Sequence, residues 1–373
     1  MHRIRFANQL RGLAALSVAC SHLVGVFWAV PAVVSATTFS PAPDGPVPAI
    51  FGLASKPWFN FGPFGVGIFF LISGLVVPIS LERHSRFSFM LARVVRIYPT
   101  YCVVLLLNVA VLHLASWAWS RPYTYSVWAL ATNAALVYDL VGHPSIDLVN
   151  WTLSVELKFY LLVAVAAPLV RRGSVVFLIA AALGIFALNA LITHGGAGPA
   201  GSVTSTPGYT ASSQSVCLSF MLLGLAFNFH LRGRLSTPGL VGLLAVLSGL
   251  FVAAWRVSVW RDQYPGITVN YGYALALFGG LYAVRHHVPP NRLLDAMAAI
   301  SFPFYVLHVL LGFSILRALM VGAGWGYYPA LLATMACVTA VAWLVHRFVE
   351  VPCIQIGRRL GQPRVVPPAA AIV

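Results

Sequence analysis

Long apolar runs recur along the chain, separated by short polar or basic connections. They predict helices near residues 8–30, 63–81, 97–117, 153–170, 174–193, 211–230, 239–258, 270–284, 298–319 and 328–346. Each approaches the ~20 apolar residues that an α-helix needs to cross a bilayer. An eleventh run, Val127–Val141, is short and contains Asn133. The first run begins after Arg5 and lasts to about Val34. A secretory signal has an apolar core of only ~7–15 residues. This run is longer and carries Arg11 and His22, so it reads as a retained helix.

The positions of the basic residues choose between ten and eleven spans. If Val127–Val141 does not cross, the connections at 1–5, 82–96, 171–173, 232–236, 285–292 and 347–373 hold sixteen Lys and Arg. The alternate connections hold five, and Arg11 and Lys158 lie within spans. Cytoplasmic loops carry the Lys/Arg excess in membrane proteins. If the eleventh run crossed, every later loop would change side and the bias would collapse. The expected fold is therefore an all-α polytopic membrane protein with ten transmembrane helices and both termini cytoplasmic.

Composition agrees. Of 373 residues, 60% are hydrophobic and 8% charged, and the mean hydropathy is +0.86. Soluble domains carry ~25% charged residues, so this composition excludes a disordered chain and speaks against a soluble enzyme. The net charge of +15 suggests nucleic acid only in a soluble protein; here most of it records orientation. The five cysteines are scattered, with no metal-binding or disulfide spacing. No internal repeat is visible, which weakens a repeat-built transporter. No soluble domain is expected at either end.

Titratable groups inside a span are costly and by default functional. Arg11 and His22 are eleven residues apart. At 100° per residue that is ~20° from whole turns, so they share a face, with a rise of about 16 Å. Arg11 then sits near the cytoplasmic surface and His22 near mid-membrane. The alternatives are a snorkelling anchor for Arg11 and a hydrogen-bonded packing residue for His22. Glu156 and Tyr160 share a face of the fourth helix. Lys158 either snorkels outward or pairs with Glu156. Ser301, Tyr305 and His308 recur at i, i+4 and i+7 on the ninth helix. His308 is either a second titratable group or a packing histidine that donates to a nearby carbonyl. The second is favoured, and His113 and Asn189 receive the same reading. Arg93 and Arg96 lie three apart just before a span. They suit lipid headgroups or a phosphorylated cytosolic ligand.

Six segments occur in a telling order. They are Arg11-x10-His22; Gly62-Pro-Phe-Gly-Val-Gly-Ile-Phe-Phe-Leu-Ile-Ser-Gly74; Arg93-Val-Val-Arg-Ile-Tyr-Pro-Thr-Tyr101; Trp151-Thr-Leu-Ser-Val-Glu156-Leu-Lys-Phe-Tyr160; Ser301-Phe-Pro-Phe-Tyr-Val-Leu-His308; and His346-Arg-Phe-Val-Glu350-Val-Pro352. Together they resemble the bacterial integral-membrane acyltransferase family 3, from about residue 4 to 360. The resemblance implies ten transmembrane helices in the bacterial cytoplasmic (inner) membrane. It implies one membrane-embedded acyltransferase domain over 1–360, with 361–373 a short cytoplasmic tail. It also implies transfer of an acyl group, most often acetyl, from cytoplasmic acyl-coenzyme A to a hydroxyl. Acceptors in the family are usually cell-surface or lipid-linked glycans, and sometimes small molecules such as macrolides.

In this resemblance Arg11 and His22 match the functionally required pair, Arg93 and Arg96 the paired arginines, and Glu156 the acidic residue of the fourth-helix motif. Two departures stand out. Gly67 occupies a position that is often acidic, and Leu157 and Lys158 stand where a second acidic residue and Gln are common. Both bear on acceptor identity more than on the reaction. The hydrolase-like C-terminal domain of some longer relatives has no counterpart, so the chemistry is expected in the membrane core.

The expected division of labour follows. His22 is the base or the site of a transient acyl group. Arg11 holds a coenzyme A phosphate or the thioester, and Arg86, Arg93, Arg96 and Tyr98 hold the acetyl-CoA donor. Glu156 orients His22 or meets the acceptor. Trp151, Tyr160, Tyr305 and His308 are weaker candidates for lining the substrate path. Membrane lipids and the acceptor are the expected partners, a homo-oligomer is left open, and neither a metal nor nucleic acid is expected. The rivals are a transporter or flippase of a lipid-linked sugar and a scaffolding subunit.

Overall fold

The computed structural model describes residues 4–54, 56–82, 84–194 and 206–360, and among these residues there is no strand. The expected tail at 361–373 lies outside the described residues, as do Arg3 and Arg83. Helix occupies all ten expected runs. α1 spans Arg5–Ala29, α2 Phe61–Leu81 and α3 Arg86–Ala118. α4 is the short Val127–Ala134, followed by α5 at Trp151–Val165 and α6 at Ala167–Arg172. Then come α7 at Val175–His194, α8 at Pro207–Leu231 and α9 at Thr237–Arg256. α10 is Ile267–Ala283, α11 Arg292–Leu307, α12 Leu310–Gly322 and α13 Tyr327–Gly357.

Seven of these, α1, α2, α3, α7, α8, α9 and α13, are long and apolar enough to cross a membrane. The count is eight if α11 and α12, bent by 72° at their junction, form one broken span. α10 has 17 residues and α5 has 15. At 1.5 Å per residue both fall short of a ~30 Å hydrocarbon core. α5 stops at Ala166 because Pro168 follows; a proline lacks the amide donor and its ring clashes with the carbonyl four residues back.

The eleventh candidate forms the eight-residue α4, too short to cross. Its Asn133 organises a folded loop instead. The Asn133 amide donates to the carbonyls of Ala129 (2.8 Å) and Pro144 (2.9 Å) and accepts from Asn150 (2.9 Å). In the same loop the Asp147 carboxyl accepts from Asn108. Burial pushes it up to about 7 against the opposing pull of the Val149 and Leu148 backbone and of Asn108.

α3 starts at Arg86, well before the expected 97, with Ser85 as its N-cap. At 33 residues it runs about 50 Å and exceeds the hydrocarbon thickness. Arg93 and Arg96 therefore stand on a preformed helix.

Contacts sort the connections into two ends. Arg171 donates to the carbonyls of Leu81 (2.9 Å) and His84 (2.7 Å), and Glu82 pairs with Arg232 and with Arg234 (2.6 Å). Arg5 meets Val288 (3.1 Å) and Asn8 meets Asp295 (2.8 Å). At the other end, Arg121 reaches Ser35, Arg317 reaches the Ala42 carbonyl, and Asn60 meets Asn270. The basic connections at 82–96, 171–173 and 232–236 thus touch one another, and the segment at 1–5 touches the one at 285–292.

In lipid, helices associate through close packing at small residues rather than by a hydrophobic drive. α2 and α8 form the buried centre. There Gly74 faces Gly224 so closely that a Cβ on Gly74 would stand 2.3 Å from the Met221 carbonyl oxygen. α1 packs on α11 in the same manner, with Gly12 against the Leu294 carbonyl. α7 is peripheral, and only 17% of its apolar window is buried.

Candidate functional site

α1 carries the two residues that organise the site. Through Cys20 it is an ordinary α-helix, and over Ser21–Val26 it widens into a π-helical turn. Such bulges are rare and concentrate at functional sites. His22 lies in this turn. Its Nδ1 is 3.0 Å from the Val18 carbonyl oxygen and 3.0 Å from Nε2 of His308.

His308 sits at the break between α11 and α12, which corrects the expectation of one continuous ninth helix. The last four carbonyls of a helix lack intrahelical partners. Here His308 Nδ1 approaches one of them, the Tyr305 carbonyl, at 2.7 Å. So His308 bonds a nearby carbonyl, as the packing reading expects, and also contacts His22. The Tyr305 hydroxyl shares a 2.9 Å hydrogen bond with Thr152, the residue after Trp151. Trp151 packs edge-on against Phe70 and Trp260.

On α5, Glu156 accepts from Ser73 (3.4 Å) and from the Tyr160 hydroxyl. It makes no bond to His22, whose Nδ1 is occupied by Val18 and His308. The expectation that Glu156 orients His22 is therefore corrected: His308 stands in that position. Glu156 instead faces the arginines. Arg11 lies within Coulombic range of Arg96, Glu156, Tyr160 and Glu350. Arg93 lies within range of Tyr160, Arg96 and Glu156. The Arg93 guanidinium is 5.5 Å from both the Phe89 and Tyr160 ring centroids. It is buried, and its Nε has no partner among the described residues.

Glu350 is engaged by His346 at 2.6 Å. Among the described residues Arg11, Arg93 and Arg96 form no salt bridge. Arg11 and Arg93 thus lie within range of Arg96 and of Glu156 without direct pairing, an arrangement suited to a polyanion. Arg86 is exposed, two turns before Arg93 on the same face of α3. Tyr98 belongs elsewhere: its hydroxyl donates to the Ala135 carbonyl at 2.9 Å, so it braces α3 against α4 and is not among the arginines.

Lys158 does not pair with Glu156, because two residues along a helix point away from each other. It pairs with Asp139 at 3.3 Å and also reaches Ser154 and Gln214. Asp139 is buried, so losing its cation leaves a charge held only by Ser154 and Gln214. Lys158→Met is expected to lower the unfolding temperature in detergent, equivalent to about 1–3 kcal/mol, with Asp139→Asn recovering part of the loss. An unchanged melting curve for Lys158→Met would contradict the pairing. His113 stacks on Tyr123 at 4.0 Å, and Asn189 bonds Ser212 and Ser215; both are packing residues.

Sequence reasoning passed over Ser73, Thr152 and Asp139. Ser73 stands inside the Gly62–Gly74 segment and Thr152 inside Trp151–Tyr160, and Asp139 is one of only eight acidic residues, so scarcity alone marks it. A surface groove lined by Leu293, Met297, Ile300, Met335 and Trp343 is apolar and holds none of these groups. A hydrogen-bonded histidine pair and, about three helical turns away along α1, a group of arginines without salt-bridge partners among the described residues can activate a hydroxyl and hold an anionic donor.

A family described as "Acyltransferase domain" matches residues 4–347. Nodulation protein 10 of Rhizobium leguminosarum bv. viciae is 25% identical over 338 residues, covering 80% of this chain and 84% of its own length. Acyltransferase MdmB of Streptomyces mycarofaciens is 27% identical over 350 residues, covering 80% of this chain and 83% of its own. No solved structure matches.

Proposed function

The chain belongs to the acyltransferase-domain family, and from that premise we propose that it moves an acyl group, acetyl by default, from cytoplasmic acyl-coenzyme A to a hydroxyl of a cell-surface or lipid-linked glycan. Ten helices cross the bacterial inner membrane in this reading, with both termini and the arginine cluster on the cytoplasmic side. α5 with α6 makes one crossing, α10 another and α11 with α12 a third.

The observation that supports it is the joining of two kinds of group by one helix. His22 and Arg11 are separated by eleven residues of α1, a rise of about 16 Å. A coenzyme A has the same layout, with its phosphates at one end and its thioester at the end of an extended arm. Arg11, Arg93 and Arg96 hold the phosphates. His22 takes the proton of the acceptor hydroxyl as its oxygen bonds to the thioester carbon. The carbon–sulfur bond then breaks, and the imidazolium returns the proton to the departing sulfur. In the two-step variant, the acyl group rests on His22 before the hydroxyl attacks.

Label transfer from radioactive acetyl-coenzyme A to a lipid or glycan fraction of membranes carrying the protein tests the reading. Movement of a lipid-linked sugar without coenzyme A, and without label transfer, would instead identify a transporter. The donor site makes a separate prediction. Arg93→Gln with Arg96→Gln is expected to weaken acyl-coenzyme A binding about ten- to hundredfold, as expected for lost charge-assisted hydrogen bonds, with acceptor affinity little changed. Equal donor affinity in a binding titration would remove these arginines from the site.

A further inference from the structure

The geometry points to His308 as a positioning residue that fixes the tautomer of His22 and leaves Nε2 of His22 as the basic nitrogen. This rests on the acyl-transfer reading for its catalytic consequence, although the hydrogen-bond direction stands without it.

The direction is forced from both ends. A carbonyl oxygen only accepts hydrogen bonds, and a neutral imidazole has one N–H and one bare nitrogen. His308 Nδ1 lies 2.7 Å from the Tyr305 carbonyl oxygen, so Nδ1 carries the proton and Nε2 is bare. The contact of that Nε2 is Nδ1 of His22 at 3.0 Å, which must therefore donate. The Val18 carbonyl, 3.0 Å from the same Nδ1, makes the same demand independently. A doubly protonated His308 would require His22 Nδ1 to accept, and Val18 forbids it. His22 thus holds its proton on Nδ1, and its lone pair is on Nε2.

His308 is itself held. It is fully buried, it stacks on Phe304 with planes 10° apart, and Tyr305 is tied to Thr152. An orienting partner fixes both the tautomer and the ring angle of a catalytic histidine, as second groups do for catalytic and metal-bound imidazoles. Here a histidine fills the role usually given to a carboxylate. A neutral orienter suits mid-membrane, because it adds no charge to a dry site.

The test uses the full chain in lipid nanodiscs with 15N-histidine. Expected are protonated Nδ1 atoms on both rings and a through-hydrogen-bond N–N coupling between them, with signals assigned by His22→Gln and His308→Gln. A proton on Nε2 of His22, or no coupling, overturns the proposal. In turnover, His308→Leu is expected to lower kcat about ten- to hundredfold, with both KM values within about twofold, and His308→Gln to restore most of it, since its amide oxygen still accepts. Wild-type kcat in His308→Leu also overturns it. Should the leucine variant fail to insert, the wild-type spectrum still decides. Should no acyl transfer occur at all, the functional reading fails while the spectrum reports on the pair alone.

Discussion

Membranes carrying His22→Ala are expected to transfer no acyl label above background, with the chain inserted at wild-type levels. A positioned general base contributes about 10²–10⁴ in rate, or roughly 3–5 kcal/mol of barrier. If the acyl group instead passes through the imidazole, the loss is complete. Insertion should survive, because it depends on the apolar length of α1 and not on one polar ring in its π-helical turn. Alanine also leaves the bulge its backbone bonds and removes only the ring that meets His308 and Val18. Label transfer within tenfold of wild type would take His22 out of the reaction. An acyl adduct trapped on the wild-type histidine, and absent from the variant, would choose the two-step route.

Gly74→Leu is expected to prevent assembly of the bundle altogether. A Cβ at Gly74 would lie 2.3 Å from the Met221 carbonyl oxygen and 2.7 Å from the Gly224 Cα, and one at Gly224 would lie 2.4 Å from the Leu71 carbonyl oxygen. These neighbours are backbone, so no rotamer relieves the clash; the two central helices must part. Overpacking a core costs about 1–3 kcal/mol when side chains can adjust. Separating α2 from α8 exceeds that and approaches the whole ~5–15 kcal/mol by which proteins are stable. Size-exclusion profiles in detergent should show aggregated or degraded Gly74→Leu, while Gly184→Ala on α7, where a Cβ meets nothing within 4 Å, runs as wild type. A monodisperse, active Gly74→Leu would show that this approach is not what holds the bundle.

Much of the site was legible because its residues are costly where they stand. Arg11, His22 and Glu156 draw notice as polar groups in apolar helices, and Arg93 and Arg96 as a helical pair. Their partners were not legible. Glu156 and Lys158 sit two apart and looked like a local pair, yet each bonds elsewhere, to Tyr160 and Ser73 or to Asp139. Tyr98 shares a motif with Arg96 but points to Ala135. Asp139 lay in a run that looked half transmembrane, and only its contacts with Ser154, Lys158 and Gln214 give it a role.

By itself the sequence determined which stretches form apolar helices and the rejection of the run at Val127–Val141, but not where α3 begins or where the fourth and ninth runs break. The physical reason is locality: in lipid each span must satisfy its own backbone and present apolar side chains, so a stretch of chain is fit or unfit to span by its own residues. The tertiary structure alone decided the rotation of each helix and the meeting of its polar groups. A span apolar on every side has no periodicity to reveal which face turns inward. The contact between His22 and His308 crosses 286 residues and exists because a π-helical turn and a 72° break bring their rings together.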